Sequence, residues 1–287
     1  MSFLTSDSFI FNGVNSEDFN ITIAWMNSDA DVSTNGLNRE IKKTSASKMK
    51  IKDNIYGAEN VDSITFDFCI VKTDGSEITR EESIKINQWL TSSSVPKLLE
   101  FNDRDSYMLH YYAICTQIKD IIVGNILVGK ELKLETNSPF AFMKKTEKTF
   151  IINDEHTFYI NNTSDTYDGI YYPTINISST SDIIIIENIT DKKSVTLDIA
   201  KILPDDNGIK NLVLDCMNMK ILDRSGKLVP MSNLGWNAEY KSYVSAIDEY
   251  INNIYWFRLL KGMNKIKVNG NCTFKIEYEF PRKAGCL

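Results

Sequence analysis

Seven residues near the C-terminus alternate between apolar and charged side chains: Phe274-Lys275-Ile276-Glu277-Tyr278-Glu279-Phe280. A repeat of two residues places the apolar side chains on one face of a strand and the charged ones on the other. This pattern is typical of a half-buried antiparallel strand. The run Ile64–Ile70 alternates in the same way. The two runs predict a protein built mainly from β-strands.

Short segments of the same kind recur along the chain, at residues 106–118, 131–135, 149–152, 157–160, 172–178, 182–188, 194–199, 211–216, 219–223, 254–260 and 264–269. Turn residues such as Asp74-Gly75 and Asn269-Gly270 separate them. The stretch 123–130 contains two glycines without the spacing of a phosphate-binding loop, and it is predicted to be a strand with a turn. Many short strands joined by tight turns predict β-sandwiches.

Two stretches carry a helical pattern instead. Thr79-Arg80-Glu81-Glu82 has the spacing of a capping box, in which Thr79 and Glu82 bond reciprocally to each other's backbone amides. The apolar stripe behind it consists of Ile86, Trp89 and Leu90, and Pro96 follows the end of the helix. A second helix is predicted over residues 238–251 from its tyrosine, valine and isoleucine spacing.

The length of 287 residues favours two domains of roughly 150 residues each. The segment Thr136–Pro139 breaks a strand, and residues 144–148 form a charged stretch after it. We therefore expect an N-terminal domain over residues 1–140, a linker over 141–149 and a C-terminal domain over 150–287.

Composition excludes several classes of protein. Hydrophobic residues make up 43% and charged residues 24% of the chain, which excludes a disordered or fibrous protein. The net charge of −6 argues against wholesale coating of nucleic acid. Five cysteines without CxxC pairs match neither a zinc module nor a disulfide scaffold, and free thiols are the favoured interpretation. No apolar run has the length of a membrane span, so no membrane partner is expected.

Catalytic motifs are scarce. The two histidines, His110 and His156, lie outside any metalloprotease motif, and no Gly-x-Ser-x-Gly elbow is present. The aspartates of residues 204–208 lack the pattern of a calcium loop, so a plain turn is favoured there. We expect no catalytic residue, no metal and no cofactor, although a pair of acids that cleaves a glycan stays open.

Charge is unevenly distributed at the N-terminus. Residues 1–38 contain five acids and no lysine or arginine, whereas residues 39–53 contain six basic residues and two acids. This asymmetry favours head-to-tail contact between identical subunits, with lysines that protect an exposed strand edge as an equal alternative. Contact with nucleic acid is disfavoured, because no aromatic residue lies between Ile41 and Ile51. The candidate interface residues are Lys42, Lys43, Lys48, Lys50, Lys52, Asp18, Asp29 and Asp31.

Several segments in order resemble one family, the distal tail proteins of bacteriophages with long, non-contractile tails. The similar segments are Phe9–Phe19, Glu82–Leu90, Pro96–Phe101, Tyr107–Ala113, Asn137–Ala141, Trp256–Asn264 and Gly270 with the strand ending at Pro281–Lys283. The resemblance implies an N-terminal β-sandwich-like domain with one helix and a long β-hairpin, followed by a galectin-like C-terminal β-sandwich. Residues 150–250 carry little of the pattern.

The resemblance also implies a function. Such proteins form a hexameric ring that joins the tail tube to the tail-tip hub and often holds receptor-binding proteins, while DNA passes the lumen without specific binding. We therefore expect a non-enzymatic structural protein of the virion, located at the tail tip and made in the bacterial host cytoplasm.

One alternative is a glycan-binding adhesin that acts through the C-terminal sandwich. Aromatic side chains able to stack on a sugar are present in that region, although core packing is their commoner use. They are Tyr167, Tyr171, Tyr172 and Trp236.

Overall fold

The computed structural model describes residues 7–24, 39–44, 54–60, 63–102, 109–166, 168–200, 202–229 and 256–283. The chain divides into two compact units, Met1–Lys144 with Pro281–Leu287, and Lys145–Phe280. Nearly all regular structure in the described part is β, with one α-helix and one short 3₁₀ turn. The second unit is therefore an insertion in the first. The helix predicted over 238–251 lies outside the described residues.

The first unit is built on one antiparallel sheet. Its strands are β1 (Phe9–Phe11), β2 (Val14–Asn15), β3 (Ile21–Ala24), β6 (Thr65–Lys72), β7 (Lys97–Phe101), β8 (Leu109–Val123), β9 (Ile126–Thr136), β10 (Ala141–Met143) and β20 (Pro281–Arg282). The order is β2-β1-β7-β8-β9-β6-β3, and β10 pairs with both β8 and β20. Strands β4 (Arg39–Thr44) and β5 (Asn54–Asn60) form a separate two-stranded ribbon.

Helix α1 (Arg80–Leu90) covers one side of this core. The predicted capping box is confirmed, because Thr79 accepts from the Glu82 amide while the Glu82 carboxylate accepts from the Thr79 amide. Ile86, Trp89 and Leu90 are buried, as their spacing predicts. The Trp89 ring stacks on Phe9 with centroids 5.4 Å apart, and its Nε1 donates to the carbonyl oxygen of Phe11 at 2.9 Å.

The second unit is a sandwich of two antiparallel sheets. The strands are β11 (Thr146–Ile152), β12 (Glu155–Asn162), β13 (Thr174–Ser179), β14 (Ile183–Asn188), β15 (Lys193–Asp198), β16 (Lys210–Asp215), β17 (Lys220–Asp223), β18 (Gly262–Asn269) and β19 (Cys272–Tyr278). One sheet has the order β11-β19-β13-β16-β17, and the other has the order β12-β18-β14-β15. The Phe158 ring of the second sheet contacts Phe274 of the first at 5.7 Å between centroids. The predicted fold, mainly β and sandwich-like, is confirmed.

Some segments differ from the sequence predictions. Residues 141–149, expected to be a linker, contain β10 and the start of β11. Pro281 and Arg282, expected in the C-terminal domain, pair with β10 in the first unit. The strand expected over 254–260 is reduced to a single bridge between Leu259 and Tyr171 among the described residues.

Asparagine side chains take the place of a ladder in that last segment. Asn162 Nδ2 donates to the carbonyl oxygen of Leu259 at 2.9 Å, and Asn264 Oδ1 accepts from the Leu260 amide at 2.8 Å. Side-chain bonds of this kind satisfy the backbone without a neighbouring strand, which an apolar sequence pattern does not reveal.

Candidate assembly interface

The longest element of the first unit is the hairpin formed by β8 and β9, with 15 and 11 residues. Gly124 and Asn125 at its tip both have positive φ, 57° and 68°. Positive φ at both central residues defines the tight hairpin turn that matches strand twist, and asparagine and glycine adopt it readily. The strand with a turn predicted over 123–130 is confirmed.

Several contacts fix this hairpin to the core. Lys130 is completely buried, and its ammonium group lies 2.5 Å from a carboxylate oxygen of Asp120 on the opposite strand. The Ile78 amide donates to the carbonyl oxygen of Leu127 at 2.8 Å. A Cβ added at Gly129 would lie 2.7 Å from the carbonyl oxygen of Ile70, so only glycine permits this approach of β9 to β6. The base of the hairpin is thus tightly held.

The tip of the hairpin is apolar and exposed. Ile122 and Val123 are each 62% exposed and Ile126 is 46% exposed, and Val123 pairs directly with Ile126. We call these three side chains the apolar tip. Adjacent apolar side chains on a held hairpin mark a contact surface rather than a core. Sequence reasoning missed this feature, although the break in alternation at Ile121-Ile122-Val123 was its signal.

One edge of β8 has no partner among the described strands. Strand β7 pairs with residues 111–113 only, because β7 begins at Lys97 after Pro96, while β9 continues along the opposite edge to Val123. A bulge at Thr116 leaves Gln117–Val123 as the regular part of the unpaired edge. In contrast, β3 at the end of the sheet has its outer edge covered, since the Ile23 amide donates to the carbonyl oxygen of Asp7.

The residues predicted as an interface fall on different elements. Lys42 and Lys43 belong to β4, and Lys42 is exposed. Asp18 is exposed on the 3₁₀ turn Ser16–Phe19, beside the nine-stranded sheet. The ribbon and this sheet share no strand pairing. Lys48, Lys50, Lys52, Asp29 and Asp31 lie outside the described residues.

The histidines are placed in two different settings. His110 is buried and stacks over Phe142, with centroids 6.3 Å apart, and lies edge-on to Tyr112. This packing matches the structural role favoured from the sequence. His156 is exposed on β12 beside Phe150.

The described cysteines are free thiols. Burial raises the pKa of Cys216 to about 12 and that of Cys272 to about 11, so both stay protonated at neutral pH. The segment 204–208 is a turn, as predicted, because Asp205 Oδ1 accepts from the amides of Asn207 and Ile209 at 2.9 Å each. These bonds lower the pKa of Asp205, the Ile209 amide most of all. No group of three metal-ligating side chains occurs in the described parts of the chain.

One aromatic residue considered for sugar stacking is part of the core packing instead. Tyr171 packs against Phe280, and its hydroxyl accepts from the Glu279 amide at 2.9 Å. Burial raises its pKa to about 12. Tyr172 is half-buried, while Tyr167 and Trp236 lie outside the described residues.

The outer face of the five-stranded sheet is a charged lattice. Lys145 and Lys275 both contact the Glu277 carboxylate, at 2.5 and 2.7 Å, and Lys275 also contacts Glu147 at 2.9 Å. The pKa of Glu277 is lowered, since the bonds from the two lysines together outweigh its burial, which is the largest single influence. This face is solvated, as the alternating C-terminal sequence predicted. No helix in the described residues has the length and apolar character to cross a bilayer.

Comparisons with known proteins agree with this architecture. Residues 4–138 match the family model described as the phage tail protein N-terminal domain. No curated protein sequence matches the chain.

Among solved structures, the crystal structure of the SPP1 Dit (gp 19.1) protein, described as a paradigm of the hub adsorption apparatus in Gram-positive-infecting phages, is similar. The identity is 11% and the TM-score 0.57, over 95% of this chain and 98% of that one. A chain of the activated phage P2 baseplate with calcium has 7% identity and a TM-score of 0.48, over 96% of this chain and 98% of that one. The resemblance to distal tail proteins is confirmed, and residues 4–138 are the N-terminal domain of a phage tail protein.

Proposed function

We propose that this protein is a structural component of a phage tail tip, where it forms a hexameric ring that joins the tail tube to the receptor-binding apparatus. Its partners are further copies of itself, the tail tube protein, the tail-tip hub protein and receptor-binding proteins. The second unit is the galectin-like sandwich of this protein class, and DNA crosses the ring without specific binding. The protein acts in the virion and catalyses no reaction.

One observation carries the proposal. A tail-protein N-terminal domain occurs in a chain whose fold follows that of a phage hub protein over almost the full length of both. Fold similarity alone does not imply function, so the local features of the first unit matter as well.

Those features suit a ring subunit. The hairpin is held at its base by Lys130, Gly129 and Ile78, while its apolar tip and one strand edge are exposed. A rigid element with an exposed apolar end and an open edge offers both area and backbone hydrogen bonds to a neighbour. The acidic net charge is compatible with a lumen that DNA must cross without adhering.

The proposal is tested by the mass of the full-length protein, alone and co-expressed with the neighbouring tail proteins, measured by native mass spectrometry and negative-stain microscopy. We expect a ring with an open lumen. The double variant Ile122→Ser/Val123→Ser should keep the melting temperature of the wild type and assemble less. The matched control Leu203→Ser changes a side chain that is 89% exposed in the second unit and should assemble normally.

A protein that stays monomeric with and without its neighbours, and that binds host cell-wall glycan saturably, would contradict the proposal. That result would establish the adhesin alternative.

A further inference from the structure

The ribbon β4–β5 lacks a third strand, and the edge of β8 lacks a neighbour. The ribbon pairs with no other described strand, and β8 has no described partner along Gln117–Val123 on the side away from β9. A two-stranded ribbon alone is marginally stable in water. A row of open backbone groups is a template for an added strand.

We propose that β4 of one copy adds to the Gln117–Val123 edge of β8 in the next copy. This inference rests on the proposed ring and names the strands that join its subunits.

The dimensions of the two strands agree. The regular part of the β8 edge has seven residues and β4 has six, or about 24 Å and about 20 Å at roughly 3.4 Å per residue. Strand β4 is unbulged, whereas the register shift between Lys42 and Lys43 leaves Tyr56 as an extra residue on β5. A bulge interrupts regular pairing, so β4 is the strand of the ribbon suited to the contact.

Charge selects this contact over pairing between two ribbons. Strand β4 carries Arg39, Lys42 and Lys43 against the single acid Glu40. Two such strands repel each other, because like charges opposite one another are destabilising. The β8 edge contains one lysine and one aspartate and repels neither partner. Apolar side chains are exposed on both sides, with Ile41 at 54% and Val123 at 62%.

The two surfaces differ, so the contact is head-to-tail. Head-to-tail contacts repeat from copy to copy and close into a ring when the rotation permits, whereas contacts between identical surfaces stop at a dimer. Pairing of the ribbon with the β8 edge is therefore consistent with a ring.

Hydrogen exchange tests the pairing on the full-length protein. Backbone amides of 117–123 and of 39–44 should exchange at least about tenfold more slowly in the assembled protein than in the protein diluted to monomers. The Leu203→Ser control should show the same gain. A variant with residues 39–60 replaced by a Gly-Ser linker should stay monomeric, and its 117–123 amides should exchange fast at every concentration.

The folding of the linker variant is checked by exchange protection in β6 and β9, which the ribbon does not pair with. The inference is overturned if the wild type assembles while the 117–123 amides still exchange as fast as in the monomer. It is also overturned if the folded linker variant forms the same ring. A wild type that assembles under no condition overturns the proposed function as well, so the two failures are distinct.

Discussion

Lys130 is completely buried, whereas its ion-pair partner Asp120, 2.5 Å away across the hairpin, is half exposed. The two partners therefore depend on each other unequally. Without Lys130, water can still solvate the Asp120 carboxylate. Without Asp120, the ammonium group stays in the core with no counter-charge, and an uncompensated buried charge is costly.

We expect Asp120→Ala to lower the free energy of unfolding by about 3 kcal/mol and Lys130→Met by about 1 kcal/mol. The double variant Asp120→Leu/Lys130→Met should lie close to the wild type, because no charge is left without its partner. Urea denaturation of the three variants measures the differences. Equal losses in the two single variants would show that the burial of Lys130 does not decide the outcome.

The capping box makes stability depend on pH. The hydrogen bond from Lys72, followed by those from Thr79, lowers the pKa of Glu82 to about 2, against an ordinary value near 4.5. A depressed pKa in the folded protein stabilises it above pH 4.5, and this contribution is lost as the pH falls towards 2. Since Glu82 is partly exposed, the effect is modest.

The melting temperature of Glu82→Gln should be lower than that of the wild type at pH 7. The difference should narrow between about pH 4.5 and pH 2, in melts followed by circular dichroism. Lys85→Gln, whose partner Glu81 is exposed on the same helix, serves as the control. A gap that stays constant over this interval would exclude ionisation of Glu82 as its origin.

Local patterns in the sequence predicted most of the elements. The capping box of Thr79, the stripe of Trp89 and the alternation around Phe274 each depend on near neighbours in the chain, so a single sequence reveals them. The return of Pro281 to the first unit depends on β10, which lies about 140 residues earlier. No local pattern encodes such a pairing.

The same reasoning explains what was missed at the candidate interface. The apolar tip is exposed only because the hairpin extends past β7 and β6, and this follows from sheet order rather than from the residues of the tip. The charge asymmetry of residues 1–53 was visible in the sequence, but most of its members lie outside the described residues. Its role in assembly therefore stays a prediction.

Asn264 connects the segment 257–264 to β14. Its Oδ1 accepts from the Leu260 amide and from Asn188 Nδ2, and its Nδ2 donates to the carbonyl oxygens of Leu260 and Gly262, all within 3.0 Å. All four bonds are made in a fully buried position.

Asn264→Asp replaces the two donors by an acceptor and adds a buried charge, so we expect a loss of about 3 kcal/mol or more. Thermal unfolding of the second unit measures the loss. Asn207→Ala, in an exposed turn, is the control and should be nearly neutral. A stable Asn264→Asp variant would mean that the network contributes little to the fold.

The head-to-tail charge hypothesis has a direct test in Asp18 and Lys42. Lys42→Glu and Asp18→Lys should each weaken assembly several-fold at low salt, and the double variant should recover part of the loss. Sedimentation velocity at about 50 and 500 mM salt measures the assembly, since screening removes an electrostatic contribution. If the reversed pair is additive, the two residues do not face each other across the contact, and Lys42 then protects the ribbon edge instead.

The second unit should fold by itself, because its two ends are already joined. Thr146 at the start of β11 pairs with Tyr278 at the end of β19, and the register continues over seven residue pairs to Ile152 and Cys272. The whole unit lies between two strands of the first unit that are hydrogen-bonded neighbours.

A fragment of residues 145–280 should therefore show a cooperative thermal transition and dispersed amide resonances. The complementary chain, with Lys144 joined to Pro281 by a short Gly-Ser linker, should keep β10 paired with β20. It should also retain the ability to assemble, because the ribbon and the β8 hairpin both belong to the first unit. A fragment 145–280 that unfolds in isolation would instead show that the insertion needs the first unit for its stability.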